Sequence, residues 1–342
     1  MMRMWQGAFG LSNREGLVSP AYVVLKPTRQ IVPEYAAQLL RTPRMLYLLW
    51  AYSYGLTDDR LRLYYSDLAA IRVSVPEIAQ QRRIARLLIT WDQAIDTARR
   101  LVGNSIKQRD ALLRRVFSGG VDERSALNPS KTLRLGDLIG QLNSGVSVNG
   151  FDRLAMNGEV GVLKVSAVTS GSFDPLRNKA ILPDEIERVR VSPRADRIIV
   201  SRSNTAELLG ASAYIEHDYP TLFLSDKLWQ LEPKEPKSVH MRWLANWLSA
   251  PATRTRISAL ASGSSGSMKN IGKDQLLALE IKVPQFEDQE RIANALGDWD
   301  RSIVGLNFQT EALIREKRVL MNQLLTGKRR LPLKAQPAET TA

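Results

Sequence analysis

Apolar positions recur at alternating steps of four and three residues along two segments of the chain. The first series runs from Ile84 to Val116 and the second from Ile292 to Leu324, with eight of ten positions apolar in each. This spacing keeps the apolar side chains on one face of an α-helix and is typical of a coiled-coil seam. The pattern predicts two long helices, and Arg109 and Lys317 interrupt their seams at equivalent places.

The two segments are copies of one repeat. Residues 75–119 align with residues 283–327 without a gap at an offset of 208, and 13 of the 45 positions are identical. The identities concentrate in a block that reads Q-x-R-I-A-x-x-L-x-x-W-D-x-x-I. Two unrelated amphipathic helices would not keep both tryptophans in register. The two helices could pair with each other or each with a helix of another protein. Effective concentration favours pairing within the chain, and the insert between them is long enough for the helices to run antiparallel, which is the arrangement we predict.

Shorter patterns lie outside the two helices. Apolar runs at 160–168, 196–203 and 221–233 predict strands, and residues 238–262 form a helical stretch. The N-terminal segment repeats only the second half of this domain, because residues 19–27 lie over 225–233 at an offset of 206. By that register Met1 corresponds to about Glu207, and residues 133–206 have no counterpart upstream.

The predicted fold class is α+β, with two α/β domains, the first partial, separated by two long helices that pair as an antiparallel coiled coil. The predicted order is a partial first domain over 1–76, a long helix over 77–119, a linker over 120–132, a complete domain over 133–284, a second long helix over 285–327, and a basic, then disordered tail over 328–342.

The composition indicates a class of binding partner and excludes several kinds of site. The chain has 48 Lys and Arg against 35 Asp and Glu, a net charge of +13, which makes nucleic acid the leading class of partner. A basic surface that serves only solubility is the alternative. With no cysteine and two histidines, disulfides, thiol catalysis and Cys/His zinc sites are excluded. No apolar run is long enough to span a membrane, and we expect a cytoplasmic protein.

The order of half-domain, helix, full domain and helix, with the repeated block opening each helix, resembles the specificity subunit of type I restriction-modification systems. The resemblance covers nearly the whole chain and extends to GLVSPAYVVLKP (16–27), IIVSRSNT (198–205) and SGSSGSMKNI (262–271). It implies two target-recognition domains that each read half of a bipartite site in double-stranded DNA. It also implies helices that dock methyltransferase subunits and, where the system has them, restriction and motor subunits.

The resemblance also implies a subunit that is not itself an enzyme and binds no cofactor directly. S-adenosylmethionine would be held by the partner methyltransferase, and ATP and Mg²⁺ by a partner motor subunit if present. The residues agree, because neither an N-P-P-[YFW] methylation motif nor a G-x-x-x-x-G-K-[ST] phosphate loop occurs in the sequence.

One departure from the family pattern is that the first recognition domain starts midway. A truncated gene product, a true start upstream, or incomplete subunits that associate would each explain this. An inactive remnant, or a structural coiled-coil protein without sequence-specific DNA binding, is the alternative function.

Candidate DNA contacts are side chains of the types that read bases or bind phosphates. They are Arg60, Arg62, Arg202, Asn204, Lys269 and Asn270. A turn at the end of a strand is the alternative role for Asn204, and a plain surface loop is the alternative for 263–270. We expect Trp5, Tyr22 and Trp229 in the core or an interface rather than stacked on bases.

Candidate docking residues for the methyltransferase are identities that cluster near the start of each repeated helix, and seam packing alone does not demand those of Gln, Arg and Asp. They are Gln81, Arg83, Trp91 and Asp92 in the first copy and Gln289, Arg291, Trp299 and Asp300 in the second. The alternative for the charged positions is an ordinary solvated helix face.

Overall fold

The computed structural model describes residues 1, 3–57, 61–117, 131–261 and 269–332. The chain divides into two compact units. Unit 1 is Met1–Asn104 with Val304–Ala342, and unit 2 is Ser105–Ile303. The boundary therefore falls within each long helix, whereas the domains predicted from sequence follow the helix ends. Within the described ranges, no helix is long and apolar enough to cross a membrane.

The helices are α1 Pro33–Leu40, α2 Pro43–Ala51, α3 Tyr65–Ala70, α4 Ile78–Phe117, α5 Leu135–Leu138, α6 Met241–Ser249, α7 Pro251–Ala259, α8 Lys273–Leu277 and α9 Phe286–Leu325. The strands are β1 Lys131–Arg134, β2 Ile139–Ser144, β3 Gly161–Leu163, β4 Asn178–Ala180, β5 Arg197–Ser201, β6 Ser203–Asn204, β7 Ser212–Ile215, β8 Leu222–Phe223, β9 Leu228–Pro233, β10 Lys269–Asn270 and β11 Glu280–Val283. Short 3₁₀ helices lie at Met4–Gln6, Val165–Ala167 and Pro183–Arg188.

The helices obey the repeat found in the sequence. The pairs α1 and α6, α2 and α7, α3 and α8, and α4 and α9 each begin 208 residues apart. The two long helices have 40 residues each and end at equivalent positions, which confirms both of them. Gly327 follows α9 with φ 74°, the left-handed conformation in which glycine commonly ends a helix.

Proline divides the helical stretch of unit 2. Residues 238–262 form two helices, α6 and α7, because Pro251 has no amide hydrogen to donate and biases the residue before it towards an extended backbone. Ala250 accordingly has φ −63° and ψ 138°. Similarly, only Gly161–Leu163 of the apolar run 160–168 is a strand, and a 3₁₀ turn follows it.

The main sheet of unit 2 has four antiparallel strands in the order β2-β9-β5-β7. A smaller sheet has the order β4-β3-β8, with β3 antiparallel to β4 and parallel to β8. Two-stranded ladders join β1 to β11 and β6 to β10. The strand β9 is central in the main sheet, with β2 on one edge and β5 on the other.

Both faces of the main sheet are buried along β5 and most of β9, which explains why β5 reads as a continuous apolar run. Along β5, Ile198 and Val200 join the cluster formed with Trp243 and other side chains of α6, whereas Ile199 joins a second cluster with Leu163. This alternation is the period of two that side chains follow in a strand.

The core of unit 1 is built from helices. Tyr35 and Leu39 of α1 and Met45 of α2 pack with Ile84, Ala85 and Leu88 of α4 and with Met321, Leu324 and Leu325 of α9. The N-terminal half of α4 thus lies against the C-terminal end of α9.

The opposite ends of the same helices pair in unit 2. Leu113, near the end of α4, packs with Leu296, near the start of α9. Contacts between an early position of one helix and a late position of the other, in each unit, confirm the predicted antiparallel pairing.

Candidate nucleic-acid interface

Four of the predicted DNA-contact residues come together in unit 2. The strands β6 and β10 pair antiparallel, with Lys269 opposite Asn204 and Asn270 opposite Ser203. The carbonyl of Arg202 accepts a hydrogen bond of 3.0 Å from the amide of Ile271, which extends the ladder by one residue. Residues that are more than 60 positions apart in sequence therefore form one short surface element, which we call the β6–β10 ladder.

Arg202 is held from two sides. Its amide donates to the carbonyl of Lys227 at 3.0 Å, and its guanidinium lies 5.7 Å from the ring centroid of Trp229. This distance is within the range of a cation–π contact. Trp229 itself is buried in the core of unit 2, as predicted. The indole therefore limits the directions in which the half-buried guanidinium can point.

Asn204 has a local role as well as a place in the ladder. Its side-chain oxygen accepts a hydrogen bond of 2.8 Å from the amide of Thr205. This contact is with the backbone of the next residue, and a turn at the end of the strand stays an alternative role for Asn204. The side-chain oxygen keeps a second lone pair and the amide nitrogen keeps its two hydrogens, so the contact with Thr205 orients the side chain and leaves both groups for a base edge.

Of the two predicted DNA-contact residues in unit 1, the structure describes only Arg62. Arg62 is exposed and pairs with Tyr54 through backbone hydrogen bonds of 2.9 and 2.7 Å. At the offset of 208 it matches Asn270, so both predicted loops place a polar residue in a short antiparallel pairing. Arg60 lies outside the described residues, as does the 262–268 part of the loop that precedes Lys269.

Gln81 and Gln289 occupy equivalent sites inside the two units. The side-chain oxygen of Gln81 accepts from the amide of Val32 at 2.8 Å, and that of Gln289 accepts from the amide of His240 at 2.8 Å. Their amide groups donate to the carbonyls of Pro76 and Pro284, respectively, at 2.8 and 3.0 Å. Both side chains are buried. Their observed contacts tie the start of each long helix to the neighbouring helix of its own unit.

Asp92 and Asp300 also have partners within their own units. Asp92 contacts Lys317 at 2.6 Å, and Asp300 contacts Arg109 at 2.8 Å. These contacts explain how the seam accommodates two basic residues, because each reaches a carboxylate of the other helix.

The other four candidate docking residues are two arginines and two tryptophans, none of them buried. Arg291 is exposed and forms an ion pair with Asp288 one turn earlier, and Arg83 is half-buried. Trp91 and Trp299 are both half-buried. Docking by these residues stays a prediction, and Arg83 and Arg291 are the pair with the clearest access to a partner.

The sequence did not reveal the part that Gln38 plays. This buried side chain of α1 donates a hydrogen bond of 2.9 Å to Asp92 and thereby joins the ion pair with Lys317. The equivalent residue in unit 2, Asn246, is one methylene shorter, and its amide nitrogen is buried without a partner among the described residues. The matching interruptions of the two seams were a signal for the ion pairs, but nothing in the pattern pointed to Gln38.

His240 caps α6 in unit 2. Its Nδ1 accepts a hydrogen bond of 3.3 Å from the amide of Trp243, and burial lowers the pKa of the imidazole below its ordinary value of 6.5. A neutral ring is required for this contact, because a protonated Nδ1 cannot accept. Among the described residues, no group of three or more His, Cys, Asp and Glu side chains could hold a metal ion.

Comparison with known proteins gives the family. The model of the type I restriction modification DNA specificity domain matches residues 129–316. The specificity subunit of the type I restriction enzyme EcoEI of Escherichia coli is 23% identical over 48% of this chain and 28% of its own length. The putative MjaX specificity subunit of Methanocaldococcus jannaschii is 23% identical over 90% of this chain and 71% of its own length.

Two solved structures share the fold. The S subunit of a type I system from M. genitalium has a TM-score of 0.56 and 16% identity, and the match covers 86% of this chain and 73% of that one. A chain from a structure describing complex assembly and conformational transition of the type I R-M system has a TM-score of 0.52 and 17% identity, over 86% and 70% of the two chains.

The matches to two of the curated relatives span less than two thirds of those proteins, 28% of EcoEI and 63% of the MjaVIII specificity subunit of Methanocaldococcus jannaschii. The comparisons nevertheless confirm the resemblance seen in the sequence. Because the family model matches more than half of the 342 residues, the chain belongs to the family of type I restriction modification DNA specificity domains.

Proposed function

We propose that this chain reads DNA sequence for a type I restriction-modification complex, and that the β6–β10 ladder of unit 2 contacts one half of a bipartite target. The observation that carries the proposal is the convergence of Arg202, Asn204, Lys269 and Asn270 on one ladder. The net charge of +13 supplies the general attraction to phosphate on which sequence reading is built.

The side chains of the ladder divide between two tasks. A Lys side chain is suited to a phosphate, whereas Asn pairs with the edge of adenine and Arg with that of guanine. We assign Lys269 to the backbone, Asn204 and Asn270 to bases, and Arg202 to a base that it approaches from its position over Trp229. Because the indole of Trp229 restricts the directions in which the Arg202 guanidinium can point, we expect this side chain to contact a particular base rather than to act as a diffuse positive charge.

The other parts of the chain complete the complex in this proposal. Arg60 and Arg62 contribute to reading the second half of the target. The N-terminal ends of α4 and α9 dock methyltransferase subunits, and motor subunits join where the system restricts DNA. S-adenosylmethionine is then bound by the methyltransferase, and ATP and Mg²⁺ by the motor subunit, with no cofactor on this chain.

The experiment is co-expression of the full chain with the neighbouring methyltransferase gene, followed by purification, mass determination and mapping of N6-methyladenine in the host genome. A stable complex and a bipartite methylated motif are the expected result. A complex without a methylated motif would overturn the reading of DNA while keeping docking. No complex and only weak, non-specific DNA affinity would favour a remnant or a structural coiled-coil protein.

Variants of the ladder test the assignment directly once the motif is known. Lys269→Ala should weaken binding to all sequences and reduce the salt dependence by about one counterion. Asn204→Ala should cost about 1–3 kcal/mol on the cognate motif and relax the base preference at one position. Lys282→Ala, an exposed lysine of β11, is the control, and an equal loss in that variant would contradict a role specific to the ladder.

A further inference from the structure

The chain of unit 2 turns between β6 and β7, and we call residues 205–210 the β6–β7 turn. Residues 205–208 are exposed, whereas Leu209 is part of the core. The carbonyl of Thr205 accepts hydrogen bonds of 3.1 and 2.9 Å from the amides of Leu208 and Leu209, respectively. Because most of its side chains are not packed in the core, the position of the turn depends on hydrogen bonds to neighbouring elements.

The helix α7 holds the β6–β7 turn through two side chains. Arg254 donates a hydrogen bond of 2.9 Å from Nη2 to the carbonyl of Glu207. Ser258, one helical turn further along, donates a hydrogen bond of 3.1 Å from Oγ to the carbonyl of Ala206. Both acceptors belong to exposed residues of the turn, so α7 fixes the part that the core does not.

The β6–β7 turn also lies directly against α7 at Gly210. This glycine has φ 71°, in the left-handed region that side chains rarely adopt. A Cβ at this position would overlap Cγ2 of Ile257 and lie 3.1 Å from Nη1 of Arg254. Glycine therefore permits both the backbone conformation of the turn and its close approach to the helix.

Packing of α7 in the core does not require Arg254. At the offset of 208 this residue corresponds to Leu46 of α2, and the equivalent residues Ile257 and Leu49 are the fully buried core contacts of the two helices. Burial lowers the pKa of the Arg254 guanidinium below its ordinary value of 12.5, and its Nη1 is buried without a hydrogen-bond partner among the described residues. Such burial costs free energy, and the hydrogen bond from Nη2 to the turn is the observed contact that offsets part of this cost.

The β6–β7 turn begins at the residue that binds the side chain of Asn204. The amide of Thr205 donates a hydrogen bond of 2.8 Å to Oδ1 of Asn204. At the other end of the turn, the amide of Gly210 donates to the carbonyl of Ser201 on β5 at 2.8 Å, which ties that end to the main sheet. A displacement of the part that α7 holds would therefore move the amide of Thr205, and with it the side chain of Asn204.

We propose that Arg254 and Ser258 are positioning residues for sequence reading, because by holding the β6–β7 turn they fix the direction in which Asn204 presents its amide to a base. This inference rests on the proposed function of the β6–β10 ladder. Neither positioning residue contacts the base itself. A hydrogen bond to a base edge depends on direction as well as distance, so a rotated amide discriminates less between bases while the general attraction to phosphate is retained.

The test is selection of bound sequences from a randomised DNA duplex library by the full chain, which gives a base preference at every position of the target. Arg254→Met keeps a long aliphatic side chain but removes the donor, and Ser258→Ala removes only a hydroxyl group. Each should reduce the base preference at least about threefold at the position that Asn204→Ala relaxes, with the other positions unchanged. Arg256→Met is the matched control, because Arg256 is exposed on the same helix, and it should leave every preference unchanged.

Combination with Asn204→Ala separates positioning from a general loss of stability. Arg254→Met should lower the affinity for the selected sequence at least about threefold in the parent chain, but should not lower it further in the Asn204→Ala background. Equal losses in both backgrounds, or a preference that Arg254→Met and Ser258→Ala both retain, would overturn the positioning role alone. A base preference that Asn204→Ala itself leaves unchanged would overturn the proposed reading by Asn204 together with this inference.

Discussion

Asp92 and Lys317 form an ion pair of 2.6 Å between Oδ1 and Nζ, and the residues at the equivalent positions of the repeat, Asp300 and Arg109, form a second ion pair. In both pairs the basic residue stands where the apolar seam of one helix is broken, and the aspartate belongs to the repeated W-D block of the other. A polar pair within an apolar seam favours one register, because any slip would leave a charge without its partner.

Breaking the Asp92–Lys317 pair should destabilise unit 1. The Lys317 side chain is only 14% exposed, whereas that of Asp92 is 44% exposed, so solvent screens part of the attraction. We expect Asp92→Asn and Lys317→Met to show a coupling energy of about 1 kcal/mol in a double-mutant cycle, measured by urea unfolding.

The control for this cycle is the exposed pair of Asp96 and Arg100 on α4. Their side chains are 68% and 70% exposed, and such surface pairs contribute little. The cycle of Asp96→Asn with Arg100→Met should give a coupling below about 0.5 kcal/mol. Equal coupling energies in the two cycles would show that the position of the Asp92–Lys317 pair within the seam does not strengthen the interaction.

Gln81→Leu should loosen the start of α4. The substitution leaves the amide of Val32 and the carbonyls of Gln30 and Pro76 without their side-chain partner, at a cost of about 2–4 kcal/mol for unit 1. Gln93→Leu, on the exposed face of the same helix, should change stability by less than about 0.5 kcal/mol. Hydrogen exchange of residues 33–40 locates the effect, and unchanged exchange there would refute it.

Much of this fold follows from local sequence. The period of the seam and the repeat at an offset of 208 were sufficient to predict two long helices, because the apolar positions recur along the whole of each helix. Their antiparallel pairing was predicted from the length of the insert between them and from their effective concentration within one chain. The candidate DNA residues Arg202, Asn204, Lys269 and Asn270 were chosen separately by chemistry and position after apolar runs. The ladder that unites them depends on pairing between distant strands, which no local pattern encodes.

Other features could not be read from the sequence because they depend on tertiary neighbours. Gln81 and Asp92 appeared as unexplained identities of the repeat, and only the structure shows that they contact Val32 and Lys317. Tyr22, expected in the core or an interface, is exposed.

Acidification should destabilise unit 2 through His240. Burial lowers the pKa of this imidazole in the folded state. As the pH falls below about 6.5, the imidazole is protonated in the unfolded chain before it is protonated in the folded one, so the free energy of unfolding of unit 2 decreases. His240→Asn keeps a side chain that can cap α6 but does not titrate, and it should flatten the pH dependence. Urea unfolding at pH 7.5, 6.5 and 5.5, followed by tryptophan fluorescence, measures the difference.

The control is the other histidine, His217, which is exposed. His217→Asn should retain the pH dependence of the parent chain. If His240→Asn lost stability on acidification as steeply as the parent, the cap would not be the cause.

Docking of the methyltransferase should depend on the repeated arginines. Arg83 and Arg291 are equivalent by the offset of 208 and lie near the starts of α4 and α9, outside the apolar seam. Because neither packs in the core of its unit, the double variant Arg83→Ala with Arg291→Ala should remain folded but lose at least about tenfold in affinity for the methyltransferase, a difference of about 1.4 kcal/mol.

Arg86→Ala is the matched control, since Arg86 is exposed on the same helix and its counterpart is Asn294. Co-purification and native mass spectrometry of the full chain give the number of methyltransferase subunits bound. Binding of as many methyltransferase subunits by the double variant as by the parent chain, or equal losses in the control, would place the docking surface elsewhere on the helices.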